Sequence, residues 1–138
     1  MMKKDVLVTI KDSHITDGNK ESYEMTTRGT FEGSENEYII EYDEQYDALK
    51  GCHTTLTVRD GRCVSIVRTG AYPSELVIER GKRHNCQYNT PYGSMLIGIS
   101  AQKVKSGIVD GKGDLELKYT IDFYGGVANQ TEMTISIE

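Results

Sequence analysis

Apolar and polar residues alternate over short runs along most of this chain, separated by glycine-bearing turns. A period of two marks strands with one buried face. Val6, Val8 and Ile10 form the first such set, followed by Tyr23, Met25, Thr27, Gly29 and Phe31, then by Tyr38, Ile40 and Tyr42. Late in the chain Leu115, Leu117, Tyr119, Ile121 and Phe123 alternate with Glu116, Lys118, Thr120 and Asp122. The first group is expected inside and the second in water. Met133, Ile135 and Ile137 repeat the pattern, with Thr134, Ser136 and Glu138 outward. Helical periodicity is nearly absent. The chain therefore reads as all-β, one antiparallel β-barrel domain over residues 1–138. The spacing suggests about eight to ten strands, with a β-sandwich as the alternative architecture.

Two hairpins can be examined for register. Around Arg59-Asp60-Gly61-Arg62, a two-residue loop would put Leu56 and Val58 on the face opposite Val64 and Ile66. A three-residue loop, a type I turn with Gly61 left-handed, pairs Val58 with Arg62 and Leu56 with Val64 and gathers the apolar residues on one side. A slip of one residue would turn a whole hydrophobic set to water, so the second register is preferred. The same spacing at Ile78-Glu79-Arg80-Gly81-Lys82 sets Leu76 and Ile78 on one face with His84, Cys86 and Tyr88. Gly29, in phase with Phe31, fits a place where a strand bends or another backbone comes close. Lys105 to Asp114, with Gly107, Gly111 and Gly113, reads as a flexible loop.

Charge narrows the partners. The chain has 21 acidic and 16 basic residues for a net charge of −5, which argues against binding nucleic acid through counterion release. The small basic groups, Arg59 with Arg62 and Arg80 with Lys82 and Arg83, bracket turns and read as solvated hairpin tips. Cys52, Cys63 and Cys86 are odd in number and contain no CxxC pair, as in a reducing compartment. The beginning of the chain is broken by Thr9 and followed by Lys11 and Asp12, unlike a signal peptide or membrane span. A cytoplasmic location and no membrane partner are expected. His14, His53 and His84 lack metal-ligand spacing, so neither a metal nor a cofactor is expected. The glycines form no P-loop or dinucleotide fingerprint. Cys52 and His53 are adjacent and would face opposite sides of a strand, which removes them as a nucleophile and base pair.

Carrying the strand phase forward places two charges inside: Arg68 with Val64 and Ile66, and Glu44 with Tyr38, Ile40 and Tyr42. A buried guanidinium requires a carboxylate or an anionic ligand, and Glu44 is the best candidate within the chain. His84, Tyr88, Tyr42 and Tyr119 complete the candidate interior cluster. In one reading Arg68 holds the anionic group of a small, anionic or amphipathic ligand, the tyrosines supply hydrogen bonds and His84 titrates near neutral pH. In the other, Glu44 clamps Arg68, the polar core is purely structural and the protein works as an interaction module. A small enzyme using His84 or Glu44 as base beside Arg68 is a further alternative, with no catalytic residue assigned.

Several of these residues lie in short motifs. They are Thr27-Arg28-Gly29, the Tyr38, Tyr42 and Glu44 run, Arg68-Thr69-Gly70, Tyr88-Asn89-Thr90-Pro91-Tyr92-Gly93, then Gly113, Tyr119 and Met133-Thr134-Ile135. In this order and spacing the chain resembles the YwiB-like family over essentially its whole length, a domain of unknown function from Gram-positive bacteria. The resemblance implies a calycin-like or lipocalin-like barrel and no particular activity. It places Glu44 and Arg68 within the motifs that carry the likeness, whereas His84 matches only some relatives. Lipocalins proper carry a tryptophan near the first strand, and this chain has none, so their ligands do not transfer.

Overall fold

The computed structural model describes residues 3–44, 51–90, 93–123 and 126–138, with the backbone alone at 90 and 126–128. Ten strands follow one another: β1 (Lys4–Thr16), β2 (Asn19–Gly33), β3 (Tyr38–Asp43), β4 (His53–Arg59), β5 (Cys63–Thr69), β6 (Ser74–Glu79), β7 (Arg83–Thr90), β8 (Gly93–Ser106), β9 (Gly113–Phe123) and β10 (Gly126–Ile137). Each pairs with its sequence neighbour, and β1 pairs with β10 to close the ring. The closing ladder runs from Val8 opposite Ile137 to Ile15 opposite Gln130. A sandwich would need two separate sheets, so the closed barrel decides against that alternative. No helix among the described residues is long and apolar enough to cross a membrane.

The alternation works as expected along most strands. Val6, Val8, Ile10, Tyr38, Ile40, Tyr42, Leu115, Leu117, Tyr119, Ile135 and Ile137 are all buried in one interior cluster. Gly29 sits opposite Tyr42, and a Cβ there would overlap the Glu41 carbonyl oxygen and press on Val8. The close backbone approach expected at Gly29 is present.

Turn chemistry supplies the first corrections. At the β4–β5 hairpin the apolar side chains do share one face, but the ladder pairs Val58 with Val64 and Leu56 with Ile66, two residues away from the expected register. Asp60 and Gly61 both have positive φ, 52° and 62°. Both central residues of that turn are left-handed, as Asp-Gly permits, in place of a type I turn with one left-handed glycine. The same dipeptide makes the two-residue β1–β2 connection, Asp17-Gly18, and the tip of the β8–β9 connection, Asp110-Gly111, each with both φ values positive.

The β8–β9 connection is therefore not the flexible loop read from its glycines. Strand β8 continues through Ser106, and Val109 and Lys112 exchange both backbone hydrogen bonds, at 2.8 and 3.1 Å. Ile108 is 1% exposed. It plugs the adjoining end of the barrel, where Phe31 and Tyr38 stack at 5.4 Å and the Tyr38 hydroxyl bonds Ser106 Oγ at 2.7 Å.

Two faces also differ from the simple alternation. Tyr23 is exposed, because β2 pairs with β3 only from Gly29 onward. Its part of the β1–β2 hairpin extends beyond the wall that would bury it, and its phenol donates to Glu21 Oε2 at 2.9 Å. Asp122 is buried despite its outward phase, while Ile121 and Phe123 are half-buried. Arg83 Nε and Nη2 reach Asp122 Oδ2 and Oδ1 at 2.9 and 2.7 Å, a bidentate fork. The guanidinium crosses Gly98, where any Cβ would overlap it.

Candidate functional site

The barrel has two unlike ends. The Ile108 end holds the turns after β2, β4, β6 and β8, and the other end holds the tips after β1, β3, β5, β7 and β9. Arg68, near the end of β5, belongs to the second. Its cross-strand partners are Thr54 on β4 and Ser74 on β6, and Thr54 is in turn opposite Tyr42 on β3. Thr54, Ser74 and Tyr42 are buried, so Arg68 lies in a row of inward side chains.

Glu44 is buried at 6% exposure, in the inward phase set by Ile40 and Tyr42. Its backbone N–H donates to the Cys52 carbonyl at 2.9 Å, which fixes the chain as it leaves β3. The Thr54 hydroxyl donates to Glu44 Oε1 at 2.7 Å, a short charge-assisted bond. The internal clamp expected between Glu44 and Arg68 is not formed. Among the described residues Arg68 makes no ion pair or hydrogen bond, and its Nε and Nη1 are buried without a partner. The guanidinium instead lies over the Tyr88 ring, whose centroid is 5.7 Å from the guanidinium carbon. Stacking of this sort contributes about 0.5–1 kcal/mol at exposed sites and uses none of the N–H donors.

Tyr119 is 3% exposed on β9. Burial holds its phenol well above the ordinary value, with the Asp12 carboxylate acting in the same direction. The structure therefore gathers Glu44, Arg68, Tyr42, Tyr88 and Tyr119 at one end. His84 stands apart from them. It lies at the start of β7 on the Ile108 side, four residues or about 13 Å along the strand from Tyr88, and its Nε2 contacts Glu79 Oε1 at 3.0 Å. Geometry gives no pairing of His84 with Arg68.

Three further polar residues complete this end. Asp12 and His14 extend the inward phase of Val6, Val8 and Ile10 by two more steps, and Thr131 extends that of Met133 and Ile135. Continuing the period of two past the last apolar residue would have found all three. Thr131 is fully buried and donates to Asn129 Oδ1 at 2.7 Å. The orientation of that amide follows from its Nδ2, which donates to Thr16 Oγ1 at 3.3 Å.

Because the single Thr131 hydroxyl proton is used, the 2.9 Å contact between His14 Nδ1 and Thr131 Oγ1 has the ring N–H donating. Nε2 then faces Asp12 Oδ1 at 3.6 Å. A neutral ring would turn its lone pair to a carboxylate, so this geometry favours the imidazolium. The Asp12 carboxylate accordingly raises the His14 pKa above the usual 6.5, against a lowering by burial. At 3.6 Å the contact is an ion pair without a hydrogen bond, and Asp12 Oδ1 remains buried and unpartnered. A surface pocket of about 570 Å³ at the β1–β2 tip is lined by His14, Tyr23 and Asn129 among others.

Comparison with known proteins adds the fold and no chemistry. The sequence model of a family described as a domain of unknown function, DUF1934, matches residues 8–135. The chain is 24% identical over 139 aligned positions to the uncharacterized beta-barrel protein YwiB of Bacillus subtilis, covering 99% of this chain and 96% of that one. The crystal structure of the ywiB protein from Bacillus subtilis superposes with a TM-score of 0.80 at 22% identity, over 97% of this chain and 92% of the other. At that identity the likeness concerns the barrel alone.

Proposed function

Because the chain belongs to the DUF1934 family, a domain of unknown function, we propose a role from its own side chains: a small-molecule-binding barrel in which Arg68 receives an anionic group. The observation that carries this reading is the buried, unpartnered Nε and Nη1 of Arg68. Buried N–H donors left unmet cost free energy in the folded chain. The nearby acid that could relieve the cost is already engaged by Thr54. A carboxylate or phosphate would supply acceptors, and the Tyr88 ring covers one face of the guanidinium without using its N–H donors. Tyr42 and Tyr119 line the same interior.

Calorimetric titration of wild type and Arg68→Gln with acetate, hexanoate and inorganic phosphate tests the reading. At least one anion should bind wild type and lose about tenfold or more in affinity in the variant, with the circular dichroism spectrum unchanged. Equal binding by both proteins, or no binding by wild type, would contradict it.

A further inference from the structure

Resting on the reading that Arg68 anchors an anion, we propose that the molecule received at this end is a zwitterion, with its carboxylate or phosphate on Arg68 and its ammonium on Asp12. The buried side-chain atoms without a hydrogen-bond partner among the described residues are Arg68 Nε, Arg68 Nη1 and Asp12 Oδ1. They are two donors of one sign and an acceptor of the other. All three belong to inward positions at the same end of the barrel.

Arg68 and Asp12 do not satisfy each other, because β5 and β1 are four strands apart around the ring. Tyr119, buried on β9, is opposite Thr131 on β10, Thr131 touches the His14 ring that faces Asp12, and Tyr88 lies under Arg68. The two unmet groups therefore stand on separate walls at the same end of the barrel. A simple anion would answer Arg68 and leave Asp12 Oδ1 as it is. A simple cation would do the reverse and would place a second positive charge in a region that already holds Arg68. A molecule with both charges answers both groups and adds no net charge to the interior, which limits the desolvation cost.

The imidazole of His14 does not remove this demand. It balances the Asp12 charge at 3.6 Å but makes no hydrogen bond to Oδ1, so an ammonium N–H still gains a partner there. Glu44 is a weaker candidate for the ammonium, since Thr54 already donates to it. His14 also lines the pocket at the β1–β2 tip, so Asp12 lies directly behind a side chain that solutes can reach.

The test uses matched pairs that differ only in the ammonium group: propionate and β-alanine, butyrate and γ-aminobutyrate, hexanoate and ε-aminocaproate. Calorimetry on the wild-type protein should find at least one amino acid bound about tenfold tighter than its parent acid. In Asp12→Asn that preference should vanish while the affinity for the parent acid is kept. If every pair binds wild type with equal affinity, or the parent acid binds better, the zwitterion is overturned and the anion site at Arg68 stands. If neither member of any pair binds, and acetate and phosphate also fail, both proposals are overturned together. The wild-type comparison decides the matter even should Asp12→Asn fold poorly.

Discussion

The two ends of this barrel are built from the same alternating strands and finish them in opposite ways. At one end Ile108 turns back into the interior, Phe31 and Tyr38 stack, and the Tyr38 hydroxyl is tied to Ser106. Apolar area is buried there and the polar tips are satisfied. At the other end the inward phase continues past the last aliphatic residue into Asp12, His14, Glu44, Arg68 and Thr131. Some of these groups satisfy one another, as Thr54 does Glu44 and Thr131 does Asn129, and others remain unmet. A closed end contributes stability, whereas unmet groups cost it, as is expected where a site is proposed to bind.

Substitutions should separate these roles, beginning with the largest effect. Ile108→Ala removes a fully buried side chain from the closed end and should cost about 2–4 kcal/mol in urea unfolding, while leaving affinity for an anionic probe at Arg68 unchanged. Thr54→Val deprives buried Glu44 of its donor and should cost about 1–3 kcal/mol by the same measurement. Arg68→Met should behave in the contrary way. It removes unpartnered donors without stranding Glu44, so stability should hold or rise by about 1 kcal/mol while anion binding is lost. A loss of several kcal/mol for Arg68→Met would mean that the guanidinium is paired after all.

The smallest effect concerns pH. The folded-state pKa of His14 lies above 6.5, chiefly through Asp12, with Asn129 and Glu21 adding to it. A raised pKa stabilises the fold fully below the unfolded value and loses that contribution as pH rises through the folded value. Wild type should therefore exceed His14→Gln in stability below about pH 6 by less than about 1 kcal/mol, and the gap should close toward alkaline pH. Thermal melts of both proteins across that range would reveal a gap that grows with pH if the sign is wrong.

Much of the barrel wall was legible in the chain, because burial on one face imposes a period of two wherever both neighbouring strands are present. Tyr23 departs from it because β3 ends before reaching that level, and where one strand stops cannot be read from the alternation of another. Asp122 departs because a glycine on the neighbouring strand opens a path for Arg83. The Asp-Gly dipeptide at 110–111 carried the same turn signal as that at 60–61 but was obscured by the surrounding glycines. At the polar end, the inward placement of Glu44 and Arg68 followed from phase. Their failure to pair did not, since it depends on a threonine hydroxyl delivered by the adjacent strand. Asp12 and His14 required only that the period of the first strand be carried beyond Ile10.

The central claim is that Arg68 Nε and Nη1 have no partner among the described residues, and the side-chain Nε–H resonance tests this most directly. Arg83, whose Nε donates to Asp122 Oδ2 at 2.9 Å, provides an internal reference. In a titration with hexanoate or ε-aminocaproate followed by nitrogen-15 NMR, the Arg68 signal should move saturably toward the hydrogen-bonded position while that of Arg83 stays fixed. An Arg68 signal that already matches Arg83 in the free protein, and moves with neither probe, would contradict the claim.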